Sequence, residues 1–162
     1  MTRPERKHPR LKNYDYSQPG YYYVTIHTAV SAPALSRILP QTVPQIQLTQ
    51  HGETAERQLL DLPRRYPNVR VDKYVIMPTH IHVILQLLQP PAGTGGPSLT
   101  DVICAYKSLT TRQCNQWENM PGRKLFQTSF YETVLRNEQA YQKCWRYIDG
   151  NPGQWLEKPE NR

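Results

Sequence analysis

The stretch NVRVDKYVIMPTHIHVILQLL, Asn68 to Leu88, decides the fold. Two apolar, β-branched runs of strand length flank Pro78 and Thr79. A Pro-Thr turn between such runs predicts a β-hairpin, with strands over 68–78 and 80–88. Side chains alternate along a strand, so His80, His82 and Ile84 share one face, while Ile81, Val83, Leu85 and Leu87 share the other. The second set is the greasier and should carry the main helices. The first set places two imidazoles side by side, with Cβ atoms roughly 6–7 Å apart from twice the strand rise. Two neutral ring nitrogens at that spacing can converge on one metal ion and leave its remaining positions to water or phosphate oxygens. The same pair also reads as strand histidines bonded to backbone or water.

Outward from the hairpin, the chain alternates strand and helix patterns. YYYVTIHTAV (21–30) is aromatic and β-branched, a strand. Residues 31–50 carry three prolines and read as a long loop with a short strand at 45–49. Residues 52–66 read as a helix that Pro63 ends or bends. QPPAGTGGPS is a linker. Ser98, with Asp101 three residues on, caps a helix whose apolar period runs through Leu99, Val102, Ile103, Tyr106, Leu109 and Trp117. A strand near 128–135 follows, then a last helix capped by Asn137 and stopped by Gly150 and Pro152. The order predicts an α+β domain: an antiparallel sheet of ferredoxin or RNA-recognition type with packed helices.

The chain has 162 residues, enough for one domain with a core. Lys and Arg outnumber Asp and Glu by 20 to 13, a net charge of +7 that points to a polyanionic partner, nucleic acid first. Residues 1–19 form a basic arm in which Arg3, Arg6, Lys7, Arg10 and Lys12 could follow phosphates. Tyr14, Tyr16 and Tyr21 could stack on bases, whereas Tyr22 is expected to pack in the first strand. Lys107 and Arg136 are further candidate DNA contacts or, equally, solvated charges. Cys104, Cys114 and Cys144 form no CxxC pair, so reduced, packed thiols in a cytoplasmic protein are expected. The N-terminal MTRPERKHPRLK lacks the apolar region of a signal peptide, and no run reaches the length of a membrane span.

On the last helix, Tyr147 and Asn151 are one turn apart. If that helix crosses the His-bearing face, Asn151 can offer an amide oxygen to an ion and Tyr147 can point at whatever the ion holds. Ordinary packing for Tyr147 and an ordinary helix stop for Asn151 fit the spacing as well.

Four blocks in order carry a resemblance: RLKNYDYSQPGYYYVTIHT, VDKYVIMPTHIHVIL, AYKSLTTRQCNQ and FYETVLRNEQAYQKCWRYIDGNPGQW. HIH looks like the histidine–hydrophobic–histidine (HUH) motif of single-strand DNA endonucleases. Together the blocks resemble the REP-associated tyrosine transposases, relatives of the single-tyrosine insertion-sequence transposases, over about residues 9–155. The resemblance implies an HUH endonuclease fold over 20–155, with residues 156–162 a short tail. His80 and His82 match the metal-binding histidines, Tyr147 the nucleophile and Asn151 the place of a third ligand that is often Gln in the relatives. Mg²⁺ or Mn²⁺ would be the cofactor. The implied substrate is single-stranded DNA that folds into hairpins, cut and rejoined through a 5′-phosphotyrosine. A monomer or homodimer, cytoplasmic and associated with a bacterial nucleoid, would follow.

Three rival readings have the same residues. A module of this fold could bind structured nucleic acid without chemistry. A hydrolytic metal nuclease would release free 5′-phosphate ends. A structural protein would leave the histidine pair without a ligand.

Overall fold

A computed structural model describes residues 14–161. The basic residues Arg3, Arg6, Lys7, Arg10 and Lys12 lie outside them. The predicted hairpin forms as strands β4 (Val69–Ile76) and β5 (His80–Leu87), antiparallel, with Ile76 opposite Ile81. The Met77 amide donates to the His80 carbonyl at 2.8 Å and closes the turn. Strand β1 (Gly20–His27) pairs with the other side of β5, and β6 (Tyr131–Leu135) pairs with β1. The sheet order is therefore β4-β5-β1-β6, antiparallel throughout. The α+β expectation holds.

The greasier face of β5 is covered as expected. Ile81, Val83, Leu85 and Leu87 join Tyr22, Val24 and Ile26 of β1 in one core. Helices α1 (Gln50–Leu60) and α3 (Leu99–Glu118) close it with Ala55, Leu59, Val102, Ile103 and Tyr106. Each fully buried aliphatic side chain there contributes about 1.5–3 kcal/mol. Ser98 and Asp101 form a reciprocal capping box, both bonds at 3.1 Å. Trp117, expected on the apolar stripe, is instead half-exposed and leans on the His51 ring. Of the three thiols, Cys114 is buried and Cys144 partly so, but Cys104 is exposed.

The segment read as a loop holds a second hairpin, β2 (Ser36–Leu39) and β3 (Gln45–Leu48). Pro33, Pro40 and Pro44 bracket these strands rather than interrupt them, so no ladder donor is lost. The helix expected over 52–66 begins earlier, with Thr49 as its cap, and breaks at Asp61 into α1 and a short α2 (Leu62–Arg65). Gly52 sits where α1 crosses the chain beside β2. A Cβ there would lie 1.9 Å from the Leu35 carbonyl oxygen. Gly52→Ala should therefore cost about 3 kcal/mol in a urea unfolding series, at the upper end of overpacking penalties; a loss below about 1 kcal/mol would mean that the Leu35 carbonyl retreats freely.

The imidazole-bearing face is covered too, by helix α4 (Glu138–Asp149) and α5 (Asn151–Glu157). Asn137 caps α4 through a 2.8 Å bond from the Ala140 amide. Contrary to the expected stop, the chain turns straight into α5. Gly150 keeps right-handed helical dihedrals, and Pro152 stands in the first turn of α5, where its missing N–H costs nothing. Leu156, in the segment expected as tail, packs against the same cluster as Ile148.

Candidate active site

Helix α4 is held on the sheet by few anchors. Ile148 is its one buried side chain. The β4–β5 register shifts between Val71 and Lys73, which leaves Asp72 unpaired. Such a bulge re-aims side chains. Here Tyr141 donates a short hydrogen bond to the Asp72 carboxylate, and Lys73 reaches both Asp149, at 2.9 Å, and the Trp145 ring, at 3.9 Å. Tyr141 is further seated edge-on against Tyr21, at 5.2 Å.

These contacts set Tyr147 over the histidines. Its ring meets His82 edge-on at 5.5 Å and Tyr23 at 6.5 Å, while the residue stays 46% exposed. The His80 and His82 ring centroids are 4.6 Å apart. Asn151, at the start of α5, is buried and places its Oδ1 3.4 Å from His80 Nε2. Strand, helix and following helix thus deliver His80, His82, Tyr147 and Asn151 to one patch.

Three neighbours on β1 escaped the sequence reading. The register pairs Thr25 with His82 and His27 with His80. His82 Nδ1 lies 2.7 Å from the Tyr23 hydroxyl and 3.0 Å from Thr25 Oγ1. A proton on Nδ1 has two oxygens to accept it, and Nε2 then carries the lone pair. His80 is similar: Thr79 Oγ1 lies 3.2 Å from Nδ1, and Nε2 faces Asn151. The His27 ring stands 5.6 Å from that of His80. Tyr23, Thr25, His27, Tyr131 and Tyr147 line an open cleft of about 630 Å³ over the pair.

Burial sets the charge state. Desolvation pulls His80 down to about 4, with the Asn151 oxygen opposing, and His82 down to about 3, where the neighbouring His80 and His27 add to the effect. Both rings are neutral near pH 7, the form a metal ion needs. Burial also raises the Tyr23 phenol well above the usual range, so its hydroxyl remains protonated. No group of three or more His, Cys, Asp or Glu suited to a metal occurs among the described residues. A third protein donor beside the imidazoles would be the Asn151 amide oxygen. Two neutral Nε2 atoms plus that oxygen fit a divalent cation that also keeps water or phosphate ligands.

The other sequence candidates lie elsewhere. Tyr14 and Tyr16 pack around Tyr22 on the opposite sheet face, with Tyr14 and Tyr22 hydroxyls 3.3 Å apart. Those rings are engaged in packing rather than open for base stacking, and Tyr22 is fully buried as expected. Lys107 donates to the carbonyls of Gln127, at 2.6 Å, and Thr128, at 3.1 Å, and burial lowers its pKa. Arg136 is exposed just before α4, beside Tyr21 and Tyr141.

No model of a protein family matches the chain. An uncharacterized protein of Haemophilus influenzae is 27% identical over 93% of this chain and 89% of its own length. A solved structure of a REP-associated tyrosine transposase bound to a REP hairpin superposes with a TM-score of 0.65 at 20% identity, covering 91% of this chain and 74% of that one. The chain has the REP-associated tyrosine transposase fold. At that identity the likeness speaks for architecture. Within this transposase fold, the residues that converge here are the four singled out above. Among the described residues no helix is long and apolar enough to cross a membrane.

Proposed function

We propose that the protein is a REP-associated tyrosine transposase that cuts and rejoins single-stranded DNA beside hairpins. The observation that carries this reading is the meeting of Tyr147 with His80, His82 and Asn151 on one sheet face. Tyr147 Oη attacks phosphorus; the Oη–P bond forms, the P–O3′ bond breaks, the phenolic proton leaves and the departing 3′-oxygen takes up a proton. The product is a 5′-phosphotyrosine, and attack by another 3′-hydroxyl reverses it, so strands are transferred rather than degraded. Mg²⁺ or Mn²⁺ held by His80, His82 and Asn151 would offset charge on the non-bridging phosphate oxygens. Tyr23 and Thr25 orient the His82 ring, and the half-exposed phenol leaves room for a strand to enter.

The direct test incubates the protein with hairpin-bearing single-stranded DNA and Mn²⁺ and looks for a covalent adduct on a denaturing gel. An adduct is expected; free 5′-phosphate ends without one would favour a hydrolytic nuclease, and binding alone a non-catalytic module. Tyr23→Phe keeps the ring against His82 and Tyr147 but removes the hydroxyl on Nδ1. Its Mn²⁺ affinity in calorimetry should fall about tenfold, the lower end for loss of a group that orients a metal ligand. Unchanged affinity would mean that Thr25 suffices to hold the ring.

A further inference from the structure

A second groove is larger than the cleft over the histidines. It lies between the C-terminal half of α3 and residues 119–128, holds about 850 Å³, and has no carboxylate among its lining residues. Lys107, Arg112, Arg123 and Lys124 line it, and the rest of its polar lining is hydroxyl and amide. Glu118, next to the groove residue Asn119 in sequence, is engaged by His51 and Arg123. Two of the cations serve as staples: Lys107 ties Gln127 and Thr128 to α3, and Arg123 bonds Asn115 at 3.0 Å while Asn115 returns a bond to the Arg123 carbonyl at 2.8 Å. The wall they fix is therefore rigid before any ligand arrives. Arg112 is exposed with no partner among the described residues, and Lys124 bonds only the Thr128 hydroxyl.

The groove is joined to the histidine site by backbone. The Gln127 amide donates to the His27 carbonyl at 2.9 Å, Ala29 donates to Leu125 at 2.9 Å, and Phe126 bridges to Thr28. The helical wall from Ser108 to Asn119 is about 16 Å long at 1.5 Å per residue, the axial length of roughly five phosphates of a duplex strand at 3.4 Å each.

We propose that this groove seats the paired stem of the DNA, with Arg112 and Lys124 on the phosphates of one strand, so that unpaired nucleotides beyond the stem pass Gln127 toward His80, His82 and Tyr147. This rests on the DNA-processing reading above and locates a second contact surface for the same substrate. Backbone contacts carry no sequence information, so a hairpin of generic stem sequence with a single-stranded extension is an adequate probe.

The test compares wild type with Arg112→Gln/Lys124→Gln in titrations against that hairpin and against an unpaired oligonucleotide of equal length. Hairpin affinity should drop about tenfold or more, and the slope of log affinity against log salt should shrink by about 1.8, at 0.9 per duplex phosphate contact. Affinity for the unpaired strand and for Mn²⁺ should not change. Equal losses on both probes would make the groove a single-strand track, and no loss on either would remove it as a DNA surface; both results overturn the proposal. If the double variant binds the hairpin like wild type while wild type still forms the Tyr147 adduct, only the groove assignment falls. If no adduct ever forms but the variant loses hairpin binding, the groove stands and the catalytic reading falls.

Discussion

Tyr147→Phe is expected to abolish the covalent protein–DNA adduct while leaving the fold, metal binding and hairpin binding intact. The substitution removes one oxygen from a ring that is 46% exposed. The edge-on contacts to His82 and Tyr23 are made by the ring and survive. Surface changes of this kind stay within about 0.5 kcal/mol of wild-type stability. The activity loss should be at least about 10³-fold, because a missing nucleophile removes the reaction path and leaves only binding. Tyr23, the other phenol beside the histidines, is no substitute: its hydroxyl is engaged on His82 Nδ1 and burial opposes its ionisation. An adduct that persists in Tyr147→Phe would move the nucleophile elsewhere and with it the assignment of the site.

Acid should destabilise the metal-free protein well before its carboxylates titrate. His80 and His82 have folded-state values near 4 and 3, against 6.5 for an exposed imidazole. Between these values the unfolded chain binds more protons than the folded one, so stability is complete above about pH 6.5 and falls as pH drops toward the folded values. At pH 5 each ring costs about 2 kcal/mol, from 1.36 kcal/mol per unit over about 1.5 units. Partly buried His27 is shifted in the same direction. The ion-paired carboxylates Asp61 and Glu118, held down to about 2, lose their contribution only in a lower window, below about pH 4.5. Urea midpoints in chelator between pH 7 and pH 5 should therefore fall, and His80→Gln/His82→Gln should flatten the profile. A wild-type midpoint that stays level over that range would mean the imidazoles are solvated.

The two histidines and the phenol were legible in the sequence for a physical reason. Strand alternation is a local rule, and it puts His80 with His82 without knowledge of the tertiary structure; Tyr147 and Asn151, expected on one helix, reach the same patch from α4 and from the start of α5. The caps at Ser98 and Asn137 are local as well and form as read. What stayed hidden depends on partners distant in sequence. Tyr23, Thr25 and His27 alternate onto one face of β1, but their meeting with His82 and His80 rests on the register between two strands more than fifty residues apart. Tyr14 and Tyr16 look like free rings until Tyr22 draws them in. Gly150 and Pro152 match a stop signal, yet the same residues start a helix when the glycine keeps right-handed dihedrals. Pro33, Pro40 and Pro44 suggested a loop because each breaks a strand interior, and they stand at strand ends instead.

The β1–β5 ladder gives the molecule a parity constraint. Adding or deleting one residue inside Tyr21–His27 would exchange inside for outside along the rest of that strand. The hydroxyls that steer His82 would then turn into the apolar layer under α1 and α3, and Tyr22 or Val24 would face the imidazoles. Variation in chain length is therefore forbidden there and has to be absorbed where no pairing counts residues, as in the stretch between β5 and α3.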